Sequence, residues 1–280
     1  MKFLLQEDTL LDFIFALKKS KEWYDWWQPK AFPPIVEFVD SGCSKEICPV
    51  GSLEFCLDYY KKLGIELKPM NVPDNLFHLA IGGGAYGGSV KNVNFEEWLE
   101  GVFTKRGYTE EKKSAVRNSG RFYMFVKSES KFKWPGNGLY ATFGDFLNNP
   151  LYDPSDRYQI TSYYNGIEDE WRVFVFDKKV IEIKRYFSED CLTINPPDRK
   201  IIDEVVNNID LPAYSFDLCV LDRNKPNFCV SPDSPLLQRE KQYITRLVEV
   251  HDFFSTGLYG FDDYSKLPYM FYRSHLHKFL

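Results

Sequence analysis

The run over residues 158–187, YQITSYYNGIEDEWRVFVFDKKVIEIKRYF, constrains the fold of this chain more than any other. Its second half holds two β-prone runs, WRVFVF and VIEIKRY, on either side of the polar pair Lys178 and Lys179, which predicts a β-hairpin. With that pair as the loop, Phe174 faces Ile183, Phe176 faces Ile181 and Arg172 faces Arg185. All six then lie on one side of the ribbon, because strand residues alternate. Two guanidinium groups directly opposite each other repel unless something compensates. From the hairpin alone two compensations stand. A bound anion with several oxygens suits two guanidinium forks and would make the hairpin the floor of a polyphosphate site. Alternatively, Glu170 or another acid neutralises the pair.

The rest of the composition narrows the class. The 280 residues are 44% hydrophobic, enough for a large core in one or two domains. A net charge of −5 argues against an extended nucleic-acid surface, though not against a local basic site. No apolar run reaches the roughly 20 residues that span a bilayer. The first residues, MKFLLQEDTLLDFIF, are broken by acids and lack a small-residue cleavage site, so neither a signal peptide nor a membrane partner is expected. The six cysteines form no Cys-x-x-Cys pair, and Cys43 and Cys48 lack a second pair to complete a zinc site. The expectation is reduced thiols and a cytoplasmic location.

Along the chain, residues 1–80 read as a small α/β unit. Strands are predicted at 2–5, 33–40 and 65–70. Helices are predicted at 9–27 and 51–63, the second with Ser52 as N-cap and Gly64 as C-cap. GGGAYGG at 82–88 lacks the Lys-Ser/Thr of a phosphate loop and reads as a joint between lobes, as does the stretch 158–169. RFYMFV at 121–126 predicts a strand that ends near Lys127. A polar loop containing Gly136 and Gly138 follows, then a returning strand at 139–142. A plain surface hairpin and a phosphate-approaching one are equally compatible with that order. Further on, 199–208 predicts a helix, 214–221 and 246–251 predict strands, and 266–279 a helix.

Those last two strands are unusual. Asp217 sits inside YSFDLCVL and Glu249 inside RLVEVH, where an ionised carboxylate is costly unless paired or bound to metal. Alternation places Leu247, Glu249 and His251 on one face of the second strand. Two carboxylates of this kind suit Mg²⁺, which takes oxygen ligands together with substrate phosphates. His251 reads equally as a ligand or as a structural hydrogen-bonding group.

In order and spacing, FVKSES, DEWRVFV, IKRY, YSFDLCVL and LVEVHDFFSTGLYG resemble ATP-grasp proteins, and among them the R2K-type clade common in bacteriophages and bacteria. The resemblance covers about residues 121–260. It implies an α+β fold in which two α+β lobes clasp ATP, with residues 81–157 as the nucleotide-clasping lobe and 158–280 as the metal-bearing lobe. Residues 1–80 correspond to the small domain that precedes such a module. By the same resemblance, Lys127 and Lys133 hold phosphates, and Ser162 and Tyr163 contact adenine. Arg172 and Arg185 grip the transferring phosphoryl group, and Asp217 and Glu249 bind Mg²⁺. His251 stands where the family usually carries Asn, which makes Mn²⁺ an alternative metal. The implied activity is ATP- and Mg²⁺-dependent joining of a small-molecule or peptide carboxylate to an amine. The alternative is a non-catalytic nucleotide-binding or interaction protein on the same scaffold. Two further departures are the long connection 223–240 and the absence of a clear upstream lysine beyond Lys91 and Lys105.

Overall fold

The computed structural model describes residues 1–6, 11–30, 33–80, 85–86, 100, 103–104, 109–111, 113–114, 124–132, 135–162, 166–222 and 242–280. The N-terminal unit is built from β1 (Lys2–Leu5), α1 (Asp12–Trp27), β2 (Glu37–Val39), β3 (Ile47–Val50) and α2 (Leu53–Lys62). Its three strands form a parallel sheet in the order β2-β1-β3. The third strand is 47–50, not the predicted 65–70. Pro49 hides β3 from a propensity reading, yet proline is tolerated there because β3 is an edge. Ile65 and Leu67 alternate as a strand would, but pack instead against Cys56, Tyr60 and Phe254. The N-cap of α2 is Ser52 as predicted, while the C-cap is Leu63, with Gly64 one position beyond it. Ser52 Oγ accepts the Phe55 N–H at 3.2 Å, and Gly64 turns the chain with a φ of +76°.

The second sheet comprises β4 (Ala85–Tyr86), β5 (Met124–Ser128), β6 (Gly138–Tyr140) and β7 (Tyr158–Ser162), with the short helix α3 (Phe143–Leu147) after β6. It is antiparallel, in the order β4-β7-β5-β6. Residues 158–162, predicted as part of a joint, are therefore an interior strand, with Gln159 opposite Lys127. Buried Asp156 accepts hydrogen bonds from Ser128 Oγ and Ser130 Oγ, and Asn137 Oδ1 accepts the Ser128 N–H. These contacts fix both ends of the β5–β6 loop.

The third sheet holds four ten-residue strands, β8 (Ile167–Phe176), β9 (Lys179–Ser188), β10 (Ala213–Asp222) and β11 (Tyr243–Asp252), in the antiparallel order β11-β10-β8-β9. Helix α4 (Arg199–Asn208) covers one face, sharing a core with Val173, Val175, Tyr214 and Phe216. A short 3₁₀ helix, Asp74–Leu79, joins that core, and Ala80 bridges to Leu247. On the opposite face Phe174 packs with Phe3, Phe13, Phe253 and Phe271, so the N-terminal unit and α5 (Leu267–His277) share a core with this sheet.

The predicted hairpin exists, but its register differs. The turn is Asp177 and Lys178, both left-handed with φ of 45° and 62°, as a two-residue hairpin turn requires. Two bulges in β9 then shift the pairing: Ile181 is the extra residue near the turn and Tyr186 the extra one further on. Arg172 faces Lys184, and Arg185 faces Trp171. The two arginines lie on opposite faces. A third bulge corrects β11. Asp217 pairs with Glu249, but Leu218 pairs with Leu247, which leaves Val248 unpaired. Leu247 thus turns into the α4-side core, while Glu249 and His251 stay beside Asp217. No helix among the described residues is long and apolar enough to cross a membrane.

Candidate functional site

Asp217 is 1% exposed, on the β10 face turned away from α4. An ionised carboxylate at that depth needs strong partners. Arg172, opposite it on β8 and itself 4% exposed, supplies them. Its Nε donates to Asp217 Oδ1 and its Nη2 to Oδ2, both at 2.7 Å. This is the bidentate fork that planar guanidinium groups make with carboxylates. Tyr186, the bulged residue of β9, adds its hydroxyl to Oδ2 at 3.2 Å. His251 Nε2 lies 3.2 Å from the same oxygen and 3.3 Å from Glu249 Oε1. Glu249 Oε2 accepts from Lys127 Nζ at 2.8 Å. That last contact joins the β5 sheet to the β11 sheet across 122 residues of chain.

Burial raises the pKa of Asp217, but the hydrogen bonds from Arg172 and His251 outweigh it and hold the carboxyl below its ordinary value. Glu249 is half-buried, which raises its pKa, but the hydrogen bonds and charges of His251 and Lys127 outweigh that and hold it below its ordinary value. Burial lowers the pKa of His251, while its bonds to Asp217 and Glu249 raise it, and the net direction is up. One nitrogen cannot both donate to the carboxylates and accept from Arg172 Nη2, which lies 3.0 Å away. The two carboxylates within reach of Nε2 favour the protonated ring even with Arg172 and Lys127 beside them. Glu170 moves the other way: burial, then the charges of Asp217 and Glu249, push its carboxyl up.

Ligand atoms of Asp217, Glu249 and His251 lie within 4.8 Å of one another. Two carboxylates and one imidazole fit a divalent cation that accepts mixed oxygen and nitrogen donors. The charges add a condition. Asp217 is already balanced by Arg172, and Glu249 by Lys127. A dication arriving alone would leave the cluster strongly positive, whereas one arriving with phosphates would not.

The structure brings together Lys127, Arg172, Asp217, Glu249 and His251. Arg185 stands apart. Its Nη1 donates to Asp169 Oδ1 at 3.2 Å and to the Thr193 carbonyl at 2.9 Å on the other face. The expected floor of two arginines does not form, and each is neutralised by its own aspartate, neither of them Glu170. Ser162 is placed by its backbone, opposite Met124. Lys133 and Tyr163 lie outside the described residues, as do Lys91, Lys105, the connection 223–240 and GGGAYGG apart from Ala85 and Tyr86. A cavity of about 160 Å³ lies beside the cluster, with Lys127, Lys131, Asn137 and His251 on its walls.

Sequence reasoning missed Lys131, Tyr186, Thr256 and Tyr259. Lys131 could have been found from its place in the loop after Lys127. Tyr186 could not, because the bulge at Ile181 sets the parity that puts it on the Asp217 side. Thr256 and Tyr259 lie in the FFSTGLYG tail, whose glycines signal a tight wrap of backbone.

A lysine on one antiparallel sheet meeting carboxylates on another is the arrangement of the ATP-grasp class. Residues 103–267 match the family described as the ATP-grasp domain, R2K clade family 2. That span is more than half of the chain, and the chain belongs to this family. Similar solved structures include an ATP-grasp RimK domain protein from Sphaerobacter thermophilus, 11% identical with a TM-score of 0.45, covering 99% of each chain. D-alanine–D-alanine ligase from Bacillus anthracis complexed with ATP is 12% identical with a TM-score of 0.37, covering 99% of this chain and 98% of that one. D-alanyl-alanine synthetase A from Vibrio cholerae is 10% identical with a TM-score of 0.44, again covering 99% and 98%. Likeness at this level does not bear on substrate. No curated protein matches the sequence.

Proposed function

We propose that the chain is an ATP-dependent ligase that joins a carboxylate to an amine through an acyl phosphate, with Mg²⁺, or Mn²⁺ in its place, as the metal. The observation that supports this most is the Lys127–Glu249 contact beside Asp217 and His251, where a phosphate-binding cation and candidate metal ligands from two sheets converge. A substrate carboxylate oxygen attacks the γ-phosphorus of ATP, the bond to the β–γ bridging oxygen breaks, and ADP leaves. The amine nitrogen then attacks the acyl carbon, phosphate departs with the C–O bond pair, and the amine gives up a proton.

Lys127 would exchange Glu249 for phosphate oxygens, and Lys131, on the wall of the same cavity, would share them. Asp217, Glu249 and His251 would hold the metal, which when bound offsets charge on the transferring phosphoryl group. Arg172 would hold Asp217 in place, and Arg185 has no part. Lys133 on phosphate, and Ser162 and Tyr163 on adenine, keep the roles the family implies. The acyl donor is a small-molecule or peptide carboxylate.

The test is incubation with ATP, Mg²⁺ and mixed amino acids and short peptides. ADP and phosphate should be released, and Asp217→Asn should abolish the release. The rival, nucleotide binding without catalysis, is favoured by one observation: all the N–H groups of Arg172 point at protein atoms. Binding of ATP with no ADP formed across a broad substrate screen would establish the rival.

A further inference from the structure

The tail FFSTGLYG, residues 253–260, follows β11 and wraps over Arg172 on the side away from Asp217. A single 3₁₀ turn, Phe253–Ser255, leads into it. Arg172 Nη1 donates to Thr256 Oγ1 at 3.0 Å and to the Gly257 carbonyl at 2.9 Å. The Tyr259 ring lies under the guanidinium at 4.6 Å and stacks on Tyr186 at 15°. Tyr259 and Gly260 both take left-handed backbone, with φ of 46° and 82°, which lets the chain fold back over the arginine. The Leu258 N–H donates to Asp12 Oδ2 at the start of α1, so the N-terminal unit holds the wrap from outside.

The donor count is the decisive point. Arginine carries five N–H groups. Nε and one Nη2 hydrogen go to Asp217, the other Nη2 hydrogen faces His251, and both Nη1 hydrogens go to the wrap. Four of the five are committed to Asp217 and the wrap, and the fifth points at His251 Nε2, so Arg172 serves chiefly to orient Asp217. The wrap decides how the guanidinium plane sits, and hence which side of Asp217 Oδ2 stays open toward His251 and Glu249. Thr256 anchors that plane. It is 1% exposed, and its hydroxyl lies 2.5 Å from Ser215 Oγ, also buried, two residues before Asp217 on the same strand face. Arg172, Thr256 and Ser215 thus form a closed polar relay back to the strand that carries Asp217.

We infer that Thr256, through Arg172, is a positioning residue that sets the orientation of Asp217 toward the bound metal. This rests on the proposed metal site. The test compares Thr256→Val, which keeps the shape and removes the oxygen, with Thr256→Ser, which keeps the oxygen. The probe is Mn²⁺ with ADP, and binding is read from the Mn²⁺ electron paramagnetic resonance signal alongside a thermal melt.

Thr256→Val should weaken Mn²⁺ binding about tenfold, as expected for losing one hydrogen bond to a charged group, while Thr256→Ser stays within about twofold of the parent. Should Thr256→Val fail to fold, Ser215→Ala releases the same relay from its other end and should weaken Mn²⁺ in the same direction. Mn²⁺ binding that Asp217→Asn abolishes but Thr256→Val, or Ser215→Ala in its place, leaves unchanged, whatever the melting temperature does, overturns the positioning role alone. Mn²⁺ binding that is absent, or indifferent to Asp217→Asn, overturns the metal site and this inference with it.

Discussion

The sheet of β8 to β11 carries an aspartate–arginine pair on each face, and the two are built for different ends. On the α4 side, Asp169 is fully buried. It accepts from Arg185 through Oδ1, and from the backbone and side-chain N–H groups of Asn195 through Oδ2, at 3.0 and 2.7 Å. Those last donors are neutral and do not titrate in the ordinary range, and together they seat the chain that follows β9. On the cleft side, Asp217 also meets arginine, but its remaining neighbours are a histidine, a tyrosine hydroxyl and a second carboxylate balanced by a lysine from another sheet. A buried ion pair alone marks nothing more than satisfied charge. What separates the second pair is the surplus of groups that can exchange partners.

The sharpest break between the two faces is chemical. Asp217→Asn should cut Mg²⁺-dependent ATP turnover by about 100-fold or more, measured as ADP released. Asp169→Ala should instead leave Arg185 without its carboxylate and two buried Asn195 N–H donors unpaired. That should cost about 3–5 kcal/mol in urea unfolding, with Mn²⁺·ADP affinity of the folded protein unchanged. Loss of metal binding in Asp169→Ala would erase the distinction.

Lys127→Met should act in two directions. Without the lysine, Glu249 is free, so Mn²⁺ alone should bind more tightly by titration. Nucleotide affinity should fall by about one decade or more, since a charge-assisted phosphate contact is lost. Equal weakening of both would mean that lysine and metal do not compete for Glu249.

The third comparison uses pH. The pKa of His251 is held above its unfolded value near 6.5. The stabilisation from its charged form is complete below that value and is lost as pH rises through the higher folded value. A metal requires the bare nitrogen, so Mn²⁺ affinity should climb across the same window, which a titration between about pH 6 and 9 would follow. His251→Asn should flatten that climb. The smallest effect belongs to Arg185→Gln. Its partly exposed pair should cost about 1 kcal/mol of stability and leave turnover untouched.

Much of this was readable in the chain. The first strand, the helix at 199–208 and the neighbouring strands of Asp217 and Glu249 follow from alternation and capping. What local pattern could not supply was phase. Moving the hairpin loop by one residue and adding two bulges separates arginines that simple counting puts face to face. Asp177 carried a weak hint, because aspartate tolerates left-handed backbone better than most residues. The Arg172–Asp217 fork was hidden for another reason: it depends on how β8 and β10 slide past each other, which distant packing decides. Strand β3 was hidden by a proline that only an edge position permits.

The unpaired Val248 gives β11 a change of parity partway along. Before it, odd-numbered residues such as Leu247 point into oil; after it, odd-numbered residues such as Glu249 and His251 point at the cleft. A single strand therefore carries two messages in opposite frames, with one residue as the spacer between them. Deleting Val248 would close the bulge into an unbroken ladder with both faces kept, whereas drawing Val248 into regular pairing would force either Leu247 out of the core or Glu249 and His251 into it. The two faces of this strand thus depend on Val248 staying out of the ladder, not on its being there.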